Sequence, residues 1–287
     1  MDQRAGTALL GNPVRGIQGL RAGGRGVDGV AAQLHPDQSR PRSRHRSATM
    51  SSYNTEAIAV LKEKIATSTR ILVRERLIGP FGHPSSRIPG TDLVAVLGHT
   101  HDDVKDLAET DPGDVVVMDL DGEVVDGSMD APGERFMHTE IYRARSDVGA
   151  VIHAHPMHCI AFSMTDAPLA PVWHLCTLFA DGVPVYDSAV QIDNPERGRA
   201  VAAALGDRKG ILLRGHGLTV VGMSIEEATV SAVNLERSAR LQIMAQGLGA
   251  VETIDRAELT DDLLTDGLTL EEYTHTQWDY WAMETAR

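Results

Sequence analysis

Val148-Gly149-Ala150-Val151-Ile152-His153-Ala154-His155 decides how this chain is read. The apolar run over residues 148–152 predicts a buried strand, too short for a helix and rich in β-branched residues. Side chains alternate across a strand, so His153 and His155 project from one face. A third imidazole, His216, stands between Gly215 and Gly217 after another apolar run, residues 211–213. Two histidines at i and i+2, joined by a third from a tight turn, suit a three-nitrogen metal site with a position left open. An open position is the mark of a catalytic ion rather than a structural one. The competing reading is a buried, hydrogen-bonded histidine pair.

Outward from that strand the pattern is mixed. Helical spacing predicts helices over residues 56–66 and 70–76, with a Gly/Pro/Ser loop over 79–91. Residues 115–118 read as a strand, and Asp121-Gly122 as the hairpin turn into Val124-Val125. Gly133 opens a helix over 134–145. A short helix is expected over 157–164, a weak strand over 184–186, and strands over 211–213 and 218–221. Ser224-Ile225-Glu226-Glu227 is a capping-box pattern that starts a long helix to 246. A last helix is expected over 270–283. Its aromatic residues, Tyr273, Trp278, Tyr280 and Trp281 with His275, read as packing or as a lid over a neighbouring site. There is no regular βαβ alternation, which favours a layered α+β domain over a doubly wound sheet.

Composition narrows the function. The 287 residues are 42% apolar with a formal charge of −13. The acidic body excludes nucleic acid as a natural partner, since phosphate neutralisation needs a basic face. No stretch reaches the roughly 18 apolar residues of a membrane span, and the first residues lack the apolar core of a secretory signal. Cys159 and Cys176 have no paired spacing and read as reduced core thiols. A cytoplasmic compartment is the expectation. Residues 1–49 carry eight Arg against three Asp and few large apolar side chains. They read as a disordered extension ahead of a catalytic domain over residues 50–287, with Met50 as a start point and an Arg-rich presequence as the rival reading.

Glu134 begins its helix directly after Ala131-Pro132-Gly133. A helix N-terminus favours its negative charge. It reads as a fourth metal ligand, a proton shuttle, both, or an ordinary first-turn acid. His138 shares its helical face at i+4. His138 and His158 read as structural. His99 and His101, among Thr100, Asp102 and Asp103, read as a solvated loop.

The order Glu134, His153-Ala154-His155, Gly215-His216-Gly217 and then Gly222-x-Ser-x-Glu-Glu-Ala resembles the class II aldolase/adducin family, over roughly residues 54–250. The resemblance implies an α/β/α layered domain with a central, mainly antiparallel sheet. It implies a homotetramer with active sites between subunits. It also implies a divalent metal, usually zinc, held by His153, His155, His216 and Glu134, the last also moving protons. Manganese, iron and cobalt suit the same donors. Scaffold relatives without catalysis lose these ligands, so their retention here implies an enzyme.

Two departures matter. The sugar-phosphate members hold phosphate with a Gly-Asn-x-Ser-x-Arg loop and a Ser-Ser pair before the glutamate. Here the loop is Gly82-His83-Pro84-Ser85-Ser86-Arg87, and Pro132-Gly133 replaces the serines. Phosphate needs several converging donors, so their loss argues against a phosphorylated substrate. Arg87 and Ser85 are expected to bind a substrate carboxylate, with His83 as a donor or proton-transfer group. With Pro171-Val172-Trp173-His174, this variant resembles the branch that decarboxylates dihydroxylated aromatic acids, of the 3,4-dihydroxyphthalate type, in aromatic catabolism. Glu134 is the first expected proton donor to the ring carbon, His83 and His174 the second. The alternatives are an aldolase or epimerase acting on a sugar or sugar phosphate, and an adducin-like interaction module without stoichiometric metal.

Overall fold

The computed structural model describes residues 55–99, 105–255, 258 and 269–286. The expected disordered extension and Met50 lie outside the described residues, as does His101.

One eight-stranded sheet organises the chain. Its strands are β1 (His83–Arg87), β2 (Leu93–Leu97), β3 (Val115–Asp119), β4 (Val124–Asp126), β5 (Ala150–Ala154), β6 (Val185–Tyr186), β7 (Gly210–Leu213) and β8 (Gly217–Gly222). Their order is β4-β3-β2-β1-β5-β8-β7-β6, antiparallel throughout except for the β6–β7 edge pair. Period-two alternation builds a core on each face. Ala95, Val117, Ile152, Leu218 and Val220 point to one side, Val94, Val96, Val116, Val151 and Val221 to the other.

The first face is covered by α1 (Thr55–Arg74), α5 (Ile225–Gln246) and α6 (Leu270–Thr285), with α3 (Met157–Ser163) against α5. The second is covered by α2 (Arg135–Ala144) and α4 (Pro195–Leu205), which pack on each other. The result is the expected three-layer α+β arrangement. Because β5 is covered on both faces, its five residues are all buried. Each fully buried large aliphatic side chain there contributes about 1.5–3 kcal/mol.

Several expectations are corrected. The helices expected over 56–66 and 70–76 are one helix, and it ends at Arg74. The Thr67-Ser68-Thr69 interruption is absorbed because Ser68 Oγ lies 2.7 Å from Thr229 Oγ1 on α5 and Thr69 Oγ1 donates to Ile65 O. The loop expected over 79–91 contains β1, a central strand. Its polar sequence hides it, because its serines and histidine are buried by bonding to His138 and Tyr142 of α2 and to backbone rather than by apolar contact. The strand β2 and helix α4 were not anticipated, although Asn194 caps α4 and Pro195 opens it, both standard start signals. His99 is not in a solvated loop but pairs its backbone with Asp130.

Other readings hold. Ser224 caps α5 by accepting from Glu227 N, while Glu227 bonds Met223 N, one residue beyond the usual capping box. Trp278 and Trp281 are buried packing residues, the latter under the Arg237 guanidinium. Cys159 and Cys176 are free and buried, and burial pushes the Cys176 thiol up to about 11. No helix among the described residues is long and apolar enough to cross a membrane.

Candidate metal centre

The strand β5 ends where its two neighbours supply partners for its histidines. His153 is fully buried and faces Thr219 of β8 on one side and His83 of β1 on the other. Its Nδ1 lies 2.9 Å from the Leu218 carbonyl oxygen. A carbonyl only accepts, so Nδ1 carries the proton and Nε2 presents a lone pair. His155 follows the strand; its backbone N–H donates to Leu77 O, and the Phe81 backbone hydrogen-bonds its ring.

His216 arrives from the turn between β7 and β8. Gly215 takes a left-handed φ of 62° there, a conformation that favours glycine. At Gly217 a Cβ would lie 2.3 Å from Ala154 O and 3.0 Å from the His155 ring, so glycine is what lets the turn close on β5. Glu134 is the N-cap residue of α2, without a capping bond from its side chain. Instead its Oε1 accepts from Ile192 N at 2.9 Å. Its Oε2 lies 3.3 Å from His153 Nε2 and 3.5 Å from His216 Nε2.

These four side chains each offer a ligand atom within 4.8 Å of the others. The rings of His155 and His216 are stacked at 5.3 Å, both close to His153. Burial raises the Glu134 carboxyl, but His153, His216 and the Ile192 amide outweigh it and hold the group well below the usual carboxylate range. Burial, with His153 and His216 nearby, lowers His155 to about 4. Both groups are therefore in metal-binding form at neutral pH.

The donors fit a divalent cation. His153 Nε2 is buried with no hydrogen-bond partner, and its lone pair faces a carboxylate oxygen. Two acceptors at 3.3 Å repel unless a cation lies between them. The cluster borders a pocket of about 320 Å³ lined by Gly79, Pro80, Phe81, Glu134, His155, Gln191 and His216. The aromatic and amide side chains of that lining, Phe81 and Gln191, carried no signal in the sequence.

Two residues expected to contact substrate are engaged within the chain. Ser85 is fully buried and bonded to His138, Tyr142 and Val151 O. Arg87 points its guanidinium at the carbonyls of Tyr142, Arg145 and Val148, where α2 ends, and over the Tyr142 ring. Strand alternation puts both on the α2 face, and bonds within the core hold them there. His83 lies beside the cluster, its ring 5.2 Å from that of His153, although it is neither one of the four ligands nor a residue of the pocket lining. His174 lies in a 3-10 segment against Trp173 and is neither one of the four ligands nor a residue of the pocket lining. His158 is bound to Glu236 at 2.6 Å, as a structural residue would be.

Residues 63–243 match the family model described as Class II Aldolase and Adducin N-terminal domain. A 3,4-dihydroxyphthalate decarboxylase of Arthrobacter keyseri is 35% identical over 216 residues, 70% of this chain and 86% of that protein. One from Rhodococcus jostii is 31% identical over 209 residues, 69% of this chain and 85% of that protein. Among solved structures, an aldolase II superfamily protein from Pseudomonas syringae superposes with a TM-score of 0.69 at 23% identity, covering 82% of this chain and 95% of that one. The same fold, the matched model and relatives at this similarity establish the conclusion that the chain belongs to the class II aldolase and adducin family.

Proposed function

We propose that this protein is a metal-dependent carbon–carbon lyase that decarboxylates a dihydroxylated aromatic carboxylate of the 3,4-dihydroxyphthalate type. The observation that carries this reading is the Glu134, His153, His155 and His216 cluster opening onto a pocket with Phe81 in its lining. Relatives that bear the decarboxylase name support the substrate class. Among the described residues that line the pocket there is no Lys or Arg, and Arg87 is bound to backbone carbonyls. Neither a phosphate nor a substrate carboxylate meets a side-chain cation there, so the bound ion would have to neutralise it.

His153, His155, His216 and Glu134 would hold the ion, zinc in the first instance. When bound, a divalent cation supplies Lewis acidity to substrate oxygens, stabilising charge that develops as the carbon–carbon bond breaks. The Leu218 carbonyl fixes the His153 ring, and the Phe81 backbone that of His155, so that ligand orientation is set before substrate arrives. Glu134, ionised at rest with one oxygen held by the Ile192 amide, would take the proton of a substrate hydroxyl at the other. The ring carbon bearing the carboxylate must gain a proton before carbon dioxide leaves, and Glu134 or the adjacent His83 would deliver it. A homo-oligomer, the tetramer of the family resemblance, is part of this reading. The exposed row Leu241, Met244 and Leu248 on and beyond the end of α5 supports it.

The test joins metal analysis by mass spectrometry to a substrate screen. Expected are stoichiometric metal and carbon dioxide release from catechol carboxylates with no phosphate requirement. Turnover confined to sugar phosphates or hydroxy-carbonyl sugars would overturn the decarboxylase reading in favour of an aldolase or epimerase.

A further inference from the structure

Behind the ligand cluster lies a chain of side-chain hydrogen bonds that metal binding does not use. His83 Nδ1 is 2.7 Å from His138 Nε2, and His138 Nδ1 is 2.7 Å from Ser85 Oγ. Ser85 Oγ is 2.9 Å from Tyr142 Oη. All four residues are buried, His138 and Ser85 completely. They come from two elements, β1 and α2, and run from the core to the ring beside His153.

The acceptors within reach of each hydroxyl give the direction in which we infer that the chain donates. The Ser85 hydroxyl proton can go to Val151 O at 3.4 Å, to Tyr142 or to His138 Nδ1 at 2.7 Å. An O–H donor prefers a partner near 2.7–2.8 Å and is weak at 3.4 Å. The Tyr142 hydroxyl, buried, needs its own acceptor, and Ser85 Oγ is within reach. So Tyr142 donates to Ser85, and Ser85 donates to His138 Nδ1. His138 is completely buried and its two ring nitrogens meet only Ser85 and His83, with no carboxylate to offset a charge, so it is neutral. An imidazole that accepts at one nitrogen and is neutral carries its proton on the other. His138 Nε2–H therefore donates to His83 Nδ1. That leaves the proton of His83 on Nε2, the ring nitrogen not engaged with His138.

We propose that Tyr142, Ser85 and His138 are positioning residues that hold His83 as the Nε2–H tautomer, a fixed hydrogen-bond donor to the substrate beside the metal ligands. The proposal deepens the lyase reading and rests on it for the identity of the substrate. It assigns Ser85 a part in the reaction different from the direct carboxylate contact expected from sequence. It also gives the imidazole at position 83 a reason to be backed by the buried Ser85 and His138.

The test uses the full chain, with histidine labelled with nitrogen-15. Long-range proton–nitrogen correlation spectra distinguish the two neutral tautomers. The expected result is the Nε2–H form at His83, assigned by its loss in His83→Asn. The Nδ1–H form there would overturn the proposal whatever the activity. Kinetics give the second readout. Tyr142→Phe and Ser85→Ala should lower kcat by about 10- to 100-fold, the range typical of residues that orient a reacting group, with KM and metal content little changed. His138→Gln retains an N–H donor and should keep more activity than His138→Leu. Equal loss in those two, or full activity in Tyr142→Phe and Ser85→Ala, would overturn it. Should the histidine variants fail to fold, the kinetics of Tyr142→Phe and Ser85→Ala still decide. If His155→Ala abolishes metal and turnover while the tautomer proves to be Nδ1–H, the positioning proposal fails and the metal reading stands.

Discussion

His153 Nδ1 lies 2.9 Å from the carbonyl oxygen of Leu218 on the neighbouring strand. That contact sets the histidine's tautomer, and with it the direction of an unpartnered nitrogen lone pair 3.3 Å from Glu134. A sheet hydrogen-bonding partner thus prepares a metal ligand. The predictions below follow from this arrangement and from the contacts around it.

Glu134→Gln should preserve the fold, because the amide oxygen can still accept from Ile192 N. Three imidazoles remain to hold the ion. Turnover should fall by about 10²–10⁴, the usual worth of a positioned proton-transfer group, with metal retained. Steady-state kinetics and metal analysis on the same preparation check it. A fully active variant would remove Glu134 from the chemistry.

Gly217→Ala should damage the site through the backbone. The added Cβ meets Ala154 O at 2.3 Å, so β5 and β8 must part locally. The expected cost is about 1–3 kcal/mol of stability, with weaker metal binding, since His155 and His216 flank that contact. Denaturant unfolding and metal titration would show both effects, and an unperturbed midpoint would contradict the close approach.

Arg87→Ala should act on stability and not on substrate affinity. The guanidinium ties β1 to the end of α2 by bonds to three carbonyls. Their loss should lower stability by about 1–3 kcal/mol, with KM within a few fold of wild type. A large rise in KM without loss of stability would restore the carboxylate clamp suggested by the sequence.

Acid should destabilise the metal-free protein in a defined window. Burial and the neighbouring His153 hold His138 down at about 3 in the folded chain, against an ordinary 6.5. Below pH 6.5 the unfolded chain binds a proton that the folded chain does not. The stabilisation is therefore complete above 6.5 and is lost as pH falls towards 3, at no more than about 1.4 kcal/mol per pH unit for this group. His155, lowered to about 4, acts in the same direction. Urea midpoints across this window should fall less steeply in His138→Gln than in wild type. Superimposable curves would contradict the assignment.

Much of the site was legible in the sequence because its chemistry is periodic. His153 and His155 obey strand alternation, and His216 is marked by two glycines that the turn requires. The layered α+β class followed from the irregular order of strands and helices. What was not legible depends on partners remote in sequence. The strand β1 looks like a loop because His83, Ser85 and Ser86 are polar, and only their bonds to α2 and β5 explain their burial. The same holds for Arg87, whose charge suggests a ligand until the carbonyls at the end of α2 come into view. Position 191 offers no pattern at all, and only the fold brings Gln191 to the pocket.

The most direct test of the metal centre is X-ray absorption on the protein loaded with zinc or cobalt, together with metal analysis of His153→Ala and His216→Ala. The expected result is a stoichiometric ion with a first shell of three imidazole nitrogens and carboxylate oxygen. Loss of the ion in either variant should accompany an activity loss of at least about a thousandfold, as removal of several kcal/mol of charge stabilisation requires. A spectrum with fewer than three imidazoles, or tight metal binding that survives removal of His216, would contradict it.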